Sequence, residues 1–234
     1  TKEELLYILK TAEKLKKKPM PHLLDGCVMG SCFFEPSTRT RLSFESAMQG
    51  LGGRVVGFAD PSVTSMKKGE TLYDTARVIG QYVQVLVIRH PDDGAARRAA
   101  EATETPVVNG GDGANQHPTQ ALLDLFTMKE CQKNLDGLHI AFMGDMKYGR
   151  GIHSLVQSLK HFNVRLYFVA PPSVQLPTAY VDELKQHQIK FSFHEEINSI
   201  MPKIDILYLT RMQEERFPDR LEYERLKHAF FLTP

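Results

Sequence analysis

Cys27-Val28-Met29-Gly30-Ser31-Cys32-Phe33-Phe34-Glu35-Pro36-Ser37-Thr38-Arg39-Thr40-Arg41-Leu42 carries an apolar, β-prone run into a proline, then into hydroxyls and arginines at the opening of a helical pattern. A buried strand feeding a helix through a short polar turn is the repeating unit of a parallel sheet. Working outward, the same alternation recurs. Strands are predicted over residues 27–34, 55–58, 83–88 and 107–109, with helices over 41–51, 71–82 and 94–103 between them. Ahead of the first strand, Leu5, Ile8, Leu9, Ala12 and Leu15 keep helical spacing. A second group follows, with strands over 139–143, 165–169, 190–193 and 204–209 and helices near 119–131, 151–160, 179–187 and 220–228. The expected fold class is α/β: two domains, each a mostly parallel sheet with helices on both faces. The two groups flank residues 109–118, which sets the domains at 1–118 and 119–234.

Composition excludes several classes of partner. Lys plus Arg number 29 and Asp plus Glu 28, a net charge of +1 in 234 residues. That balance offers no general attraction for nucleic acid or an anionic membrane, so any anion site must be built locally. Cys27, Cys32 and Cys131 are too few and too irregularly spaced for a disulfide framework or a zinc site. Cys27 and Cys32 lie in an apolar run and are expected as buried free thiols, which implies a reducing, cytoplasmic setting. No apolar run approaches the roughly 18–20 residues of a membrane span, and the opening residues do not form a signal peptide. The start reads as a helix already under way, with Thr1 as its candidate cap, and residues 230–234 read as an interrupted strand. A piece is expected to be missing at each end.

Ligands of open parallel sheets sit at the carboxyl ends of the strands, so the turns there are where chemistry is sought. In the first turn, backbone N–H groups at the helix start would face an anion with the positive end of the helix dipole. Ser37, Thr38 and Thr40 add hydroxyl donors and Arg39 a charged fork. Hydrogen bonds to a charged group are worth about 1.5–3 kcal/mol each, so several together hold a small dianion. The turn from Gly144 to His153 has the glycine spacing of a nucleotide P-loop. Arg150 and Gly151 stand where that motif needs Lys and Ser/Thr, so the nucleotide reading fails.

Phe34-Glu35-Pro36-Ser37-Thr38-Arg39-Thr40-Arg41, Arg89-His90-Pro91 and His117-Pro118-Thr119-Gln120 together resemble the aspartate and ornithine transcarbamoylase family, in order and spacing over essentially the whole chain. The resemblance implies that Ser37, Thr38, Arg39 and Thr40 bind the phosphate of carbamoyl phosphate. It assigns Arg89 to that phosphate and the carbamoyl oxygen, His117 to the carbamoyl carbonyl, and Gln120 to the region of the amino group. Arg39, Thr40, Arg89 and His117 form the implied catalytic set, since donors fixed around a developing oxyanion are usually the largest catalytic contribution. No metal or organic cofactor is required.

The acceptor side of the resemblance is Arg150 together with Thr210-Arg211-Met212-Gln213-Glu214-Glu215-Arg216, where Arg211 and Gln213 are implied to bind aspartate. Two arginines from separate turns suit a dicarboxylate and repel the ammonium of ornithine. Ser65-Met66-Lys67-Lys68-Gly69-Glu70 is similar to the mobile loop of the aspartate-specific members, in which a serine and a lysine reach a neighbouring subunit's active site. Ser65 and Lys68 fit that spacing, with Lys67 the adjacent alternative and Lys68 also counted among aspartate ligands. A homotrimer with shared sites is implied, and regulatory chains could attach through residues 109–116. Glu35, Glu215 and Arg216 correspond to residues that bridge the two domains on closure.

The implied reaction is carbamoyl transfer from carbamoyl phosphate to L-aspartate, an early step of pyrimidine synthesis. Gly151 departs from the threonine of many relatives, which removes one side-chain contact to the acceptor. The family's closing loop and final helix would lie beyond Pro234. A non-catalytic anion-binding module, or a carbamoyltransferase using another amine such as ornithine, is the alternative.

Overall fold

The opening periodicity is realised as α1 (Lys2–Lys17), with Glu3 and Glu4 at its positive end and Lys14, Lys16 and Lys17 at its negative end. The computed structural model describes residues 1–212 and 223–224. The described chain forms two units, one from Lys10–Thr119 and one from Thr1–Leu9 with Gln120–Pro234. Leu5 and Leu9 join the apolar cluster of the later residues, which is why the first turns of α1 group with them.

The Lys10–Thr119 unit alternates β1 (Val28–Phe33), α2 (Arg39–Gly50), β2 (Arg54–Phe58), α3 (Leu72–Gly80), β3 (Val85–His90), α4 (Ala95–Ala102) and β4 (Val107–Asp112). The sheet order is β2-β1-β3-β4, with every neighbouring pair parallel. Side chains alternate across a strand, and the two faces are covered separately. One face packs Cys32, Leu86 and Ile88 with Ala76, Ala99 and Ala102 of α3 and α4. The other packs Met29, Phe33 and Val87 with Met48 and Phe44 of α2. Buried alanines at 95, 96, 99 and 102 give α4 a small-residue face that lets it lie close to its neighbours. α3 is capped by Thr71, which accepts the Asp74 N–H at 3.1 Å.

The second unit runs α5 (Pro118–Gln132), β5 (His139–Met143), α6 (Arg150–Leu159), β6 (Arg165–Val169), α7 (Thr178–Gln186), β7 (Lys190–His194) and β8 (Ile206–Leu209). Its sheet order is β7-β6-β5-β8, again all parallel. Ile140, Phe142, Leu166 and Phe168 point to a core shared with α5 and α6, while Ala141, Met143, Tyr167 and Val169 face Ile200. α6 buries seven of its ten residues. The α/β class and the paired parallel sheets are as the sequence pattern predicts. The expected helix over 220–228 lies outside the described residues, apart from helical Tyr223 and Glu224.

Two local expectations are corrected. The strand predicted over 107–109 runs on through Gly110 to Asp112 as β4, with the ladder shifting register between Ile88 and His90. Cys32 is buried as expected, but Cys27 is half-buried because it stands at the entrance to β1; Cys131 is exposed. Burial pushes the Cys32 thiol up to about 12, so it stays protonated and inert.

In each sheet, chain order reverses at one place. β1 lies between β2 and β3, and β5 lies between β6 and β8. The carboxyl ends of β1 and β3, and of β5 and β8, are therefore where a crevice opens for ligands.

Candidate active site

At the first reversal the strand ends deliver Glu35 and Arg89. Arg89 Nε donates to Glu35 Oε1 at 2.6 Å, and Arg89 Nη1 donates to Thr40 Oγ1 at 3.2 Å. Thr40 Oγ1 lies 3.5 Å from His117 Nε2, and His117 Nδ1 lies 3.5 Å from Thr119 Oγ1. A chain Glu35–Arg89–Thr40–His117 thus connects β1, β3, α2 and the segment entering α5. The Glu35 carboxylate holds the planar Arg89 fork in one orientation.

Ser37 and Thr38 occupy the turn into α2, and Arg39 is its first residue. Thr38 stands at the helix cap in right-handed helical geometry with no side-chain cap bond, so the first-turn N–H groups carry no hydroxyl cap. A helix start left in this state favours an anion through both dipole and donors. Arg41 lies 3.7 Å from Glu45, one turn along the helix, whereas Arg39 is exposed.

The loop before His117 is organised by Asp112, 2% exposed. Its Oδ1 accepts from Asn109 Nδ2 (2.8 Å) and Gln116 N (3.2 Å), and its Oδ2 from Gly94 N (2.7 Å) and Asn115 Nδ2 (2.9 Å). Nearby, His90 Nδ1 accepts the Asp92 N–H at 3.0 Å, so that nitrogen carries no proton. Burial lowers the His90 pKa, partly opposed by Asp92.

In the second unit, Gly144 directly follows β5 with φ 126°, and a Cβ there would fall 2.2 Å from the Thr210 carbonyl oxygen. Only glycine allows this approach of the turns after β5 and β8. It sets Arg211, which donates Nη1 to the Met212 carbonyl at 3.2 Å, beyond β8. Arg150 opens α6 and is 4% exposed. Asp145, fully buried, accepts the Tyr148 N–H at 2.9 Å and shapes the turn between them. Gly151 lies one residue inside α6, and a Cβ there would meet Tyr208 Oη at 3.5 Å and Gln120 Cγ at 3.9 Å. Gln120 donates Nε2 to Asp124 Oδ1 at 2.9 Å, and Tyr208 donates its hydroxyl to Asp124 Oδ2 at 3.0 Å. Burial raises the Asp124 carboxyl pKa against the opposing effect of these two donors; burial and the adjacent carboxylate raise the Tyr208 phenol.

Ser65, Lys67 and Lys68 are exposed on a 3-10 turn, Ser65–Lys68, whose Met66 packs into the apolar cluster under α3. Among the described residues, neither lysine is singled out by a hydrogen bond. Gln213, Glu215 and Arg216 lie outside the described residues. Among the described residues no group of three metal-ligating side chains occurs, and no helix is long and apolar enough to cross a membrane. Sequence reasoning missed Asp112, Asp124 and Tyr208. Asp112 had a signal in the turn chemistry of Asn109-Gly110-Gly111-Asp112-Gly113, and Asp124 in its four-residue spacing from Gln120. Tyr208 had none, since its pairing is made between elements far apart in the chain.

Residues 1–130 match the model of the aspartate/ornithine carbamoyltransferase carbamoyl-P binding domain, and residues 136–233 match that of the Asp/Orn binding domain of the same family. The chain belongs to the aspartate/ornithine carbamoyltransferase family. It is similar to the aspartate carbamoyltransferase catalytic subunit of Vibrio campbellii, 53% identical over all of this chain and 76% of the relative. The corresponding protein of Chromobacterium violaceum is 50% identical over 99% of this chain and 76% of that relative. Among solved carbamoyltransferase structures, the catalytic subunit of M. jannaschii aspartate transcarbamoylase aligns with TM-score 0.86 at 49% identity, covering 97% of this chain and 76% of that one. Aspartate transcarbamoylase from Trypanosoma cruzi in complex with carbamoyl phosphate and aspartate aligns with TM-score 0.92 at 36% identity, covering 98% and 75%.

Proposed function

We propose that this chain catalyses carbamoyl transfer from carbamoyl phosphate to the α-amino group of L-aspartate, giving N-carbamoyl-L-aspartate and phosphate, an early step of pyrimidine synthesis. The observation that carries the reading is whole-chain similarity to proteins named aspartate carbamoyltransferase catalytic subunit. The hydrogen-bonded chain from Glu35 to His117 beside an uncapped helix start supports it.

In the proposed reaction the aspartate nitrogen bonds to the carbamoyl carbon, the bond from that carbon to the phosphate oxygen breaks, and the departing phosphate takes the amine proton. Ser37, Thr38, Arg39 and Thr40 hold the phosphate with the first-turn N–H groups of α2. Arg89, His117 and the Thr40 hydroxyl stabilise the developing oxyanion, an effect worth about 2.7–4 kcal/mol for each well-placed donor. Gln120 receives the carbamoyl amino group. Arg150, Arg211 and Gln213 bind the two aspartate carboxylates, assisted by Lys68. Holding two small substrates in register contributes up to about 7–11 kcal/mol by removing translational and rotational freedom before the reaction.

The same reading makes the protein a cytoplasmic homotrimer in which Ser65 and Lys68 serve a neighbouring subunit's site, with residues 109–116 as a docking place for regulatory chains. Residues 1–118 act as the carbamoyl-phosphate domain and 119–234 as the aspartate domain, with Glu35, Glu215 and Arg216 linking them on closure. Glu35 is already paired with Arg89, so a linking role requires it to exchange or share that partner.

Transfer of labelled carbamoyl groups, with aspartate and ornithine offered side by side, tests the reading. Carbamoyl-aspartate as the main product is expected; preference for ornithine, or no transfer to either, overturns it.

A further inference from the structure

The amide of Gln120 is tied down by groups that have no part in the proposed reaction. Its Nε2 donates to Asp124 Oδ1 at 2.9 Å, one turn further along α5. A Gln–Asp pair at that spacing is by itself a weak helix contact. Here the other carboxylate oxygen is held from a different element, since the Tyr208 hydroxyl of β8 donates to Asp124 Oδ2 at 3.0 Å. Tyr208 and Gln120 are also the side chains that a Cβ at Gly151 would meet, at 3.5 Å and 3.9 Å.

We propose that Asp124, clamped by Tyr208, is a positioning residue that sets which end of the Gln120 amide faces the carbamoyl group. The inference rests on the carbamoyl-phosphate reading of Gln120. The physical reason is donor and acceptor polarity. An ionised carboxylate only accepts, so it takes the amide NH2; the flipped amide would set two lone-pair oxygens against each other. With Nε2 committed to Asp124, the Oε1 atom is the end left for substrate, and it is an acceptor. A carbamoyl amino group is a donor, whereas bare phosphate offers this position no N–H. The Asp124–Tyr208 pair therefore favours carbamoyl phosphate over the inorganic phosphate released by the reaction.

The test compares wild type, Asp124→Asn, Tyr208→Phe and Gln120→Ala by calorimetric binding of carbamoyl phosphate and, separately, of inorganic phosphate. Asp124→Asn keeps the shape but can present an NH2 to the amide, which lets Gln120 turn over. Carbamoyl phosphate affinity is expected to fall about tenfold in Asp124→Asn and three- to fivefold in Tyr208→Phe, with phosphate affinity unchanged in both. Combining Asp124→Asn with Gln120→Ala is expected to weaken carbamoyl phosphate no further than Gln120→Ala alone, because the two act through one amide. Parallel loss of both ligands, or additive losses in the double variant, overturns the positioning role while leaving the functional reading intact. Equal affinity of wild type and Gln120→Ala for carbamoyl phosphate overturns the reading of Gln120 and the proposal with it.

Discussion

Asp112→Asn is the substitution whose consequence follows most directly from the geometry. Asp112 is 2% exposed and accepts four hydrogen bonds, two on each oxygen, at 2.7 to 3.2 Å. Asparagine has nearly the same volume, so no cavity is created. Whichever way its amide turns, one NH2 faces two N–H donors. Two charge-assisted bonds are lost, at about 1.5–3 kcal/mol each, for an upper bound of roughly 3–6 kcal/mol. The Asn115 side chain is half-buried and able to move, so the lower half of the range applies, about 3 kcal/mol. For a chain of this size about 2–4 °C accompanies each kcal/mol, which places the fall in unfolding midpoint at about 6–12 °C. Thermal and urea unfolding followed by circular dichroism measure it. Asn115→Ala is the control: it removes one of the four donors and should cost only about 1.5 kcal/mol, the low end for a bond to a charged group. Because Gln116 N is one of the Asp112 partners and His117 follows it, kcat should fall in Asp112→Asn even at temperatures where the variant is folded. A midpoint within about 1 kcal/mol of wild type, or no lower than that of Asn115→Ala, would refute the view that this carboxylate organises the loop.

Gly144→Ala forces a Cβ to 2.2 Å from the Thr210 carbonyl at φ 126°, so the turns after β5 and β8 must separate; aspartate KM should rise at least tenfold, and an unchanged KM would count against that approach. Thiol titration of the folded protein should label exposed Cys131 rapidly and Cys32, whose pKa burial pushes up to about 12, only on unfolding; early loss of the Cys32 thiol would contradict its burial. His90 has a pKa lowered by burial, so the unfolded chain binds its proton first. Stability is present above about pH 6.5 and is lost as pH falls from there toward the folded pKa, and His90→Asn should flatten that acid limb in urea midpoints measured from pH 7 to 5. Gly151→Thr places its Cβ in ordinary contact with Tyr208 and Gln120, and replaces a helical glycine at a gain of about 0.3–0.5 kcal/mol; an equal or slightly higher unfolding midpoint with a lower aspartate KM is expected, and a loss above about 1 kcal/mol would show that the space is not there.

Part of the candidate site is legible in residue order: Arg89 closes the apolar run 83–88 and the Ser37–Thr40 segment follows the run 27–34, and in a parallel sheet such positions come close because all the carboxyl ends lie on one side. Asp124 and Tyr208 were not legible, because 84 residues separate partners that meet at 3.0 Å. The strand predicted over 107–109 stops short of the glycines at 110 and 111, yet pairing with β3 draws them into β4, since ladder hydrogen bonds outweigh a weak local preference.

By itself the sequence determined the α/β class, the two groups of strands, and the order in which Ser37–Thr40, Arg89, His117, Arg150 and Arg211 fall near strand ends and helix starts, because apolar periodicity and turn chemistry are local properties of the chain. Tertiary structure alone decided the strand orders β2-β1-β3-β4 and β7-β6-β5-β8, and with them which strand ends become neighbours. Only that packing joins Glu35 to Arg89, sets Thr40 against His117, gathers four donors on Asp112 and clamps Asp124 between Gln120 and Tyr208. The physical reason is that hydrogen-bond partners are chosen by distance in space and by burial, which raises the cost of leaving a polar group unpaired, and neither quantity is written in the order of residues.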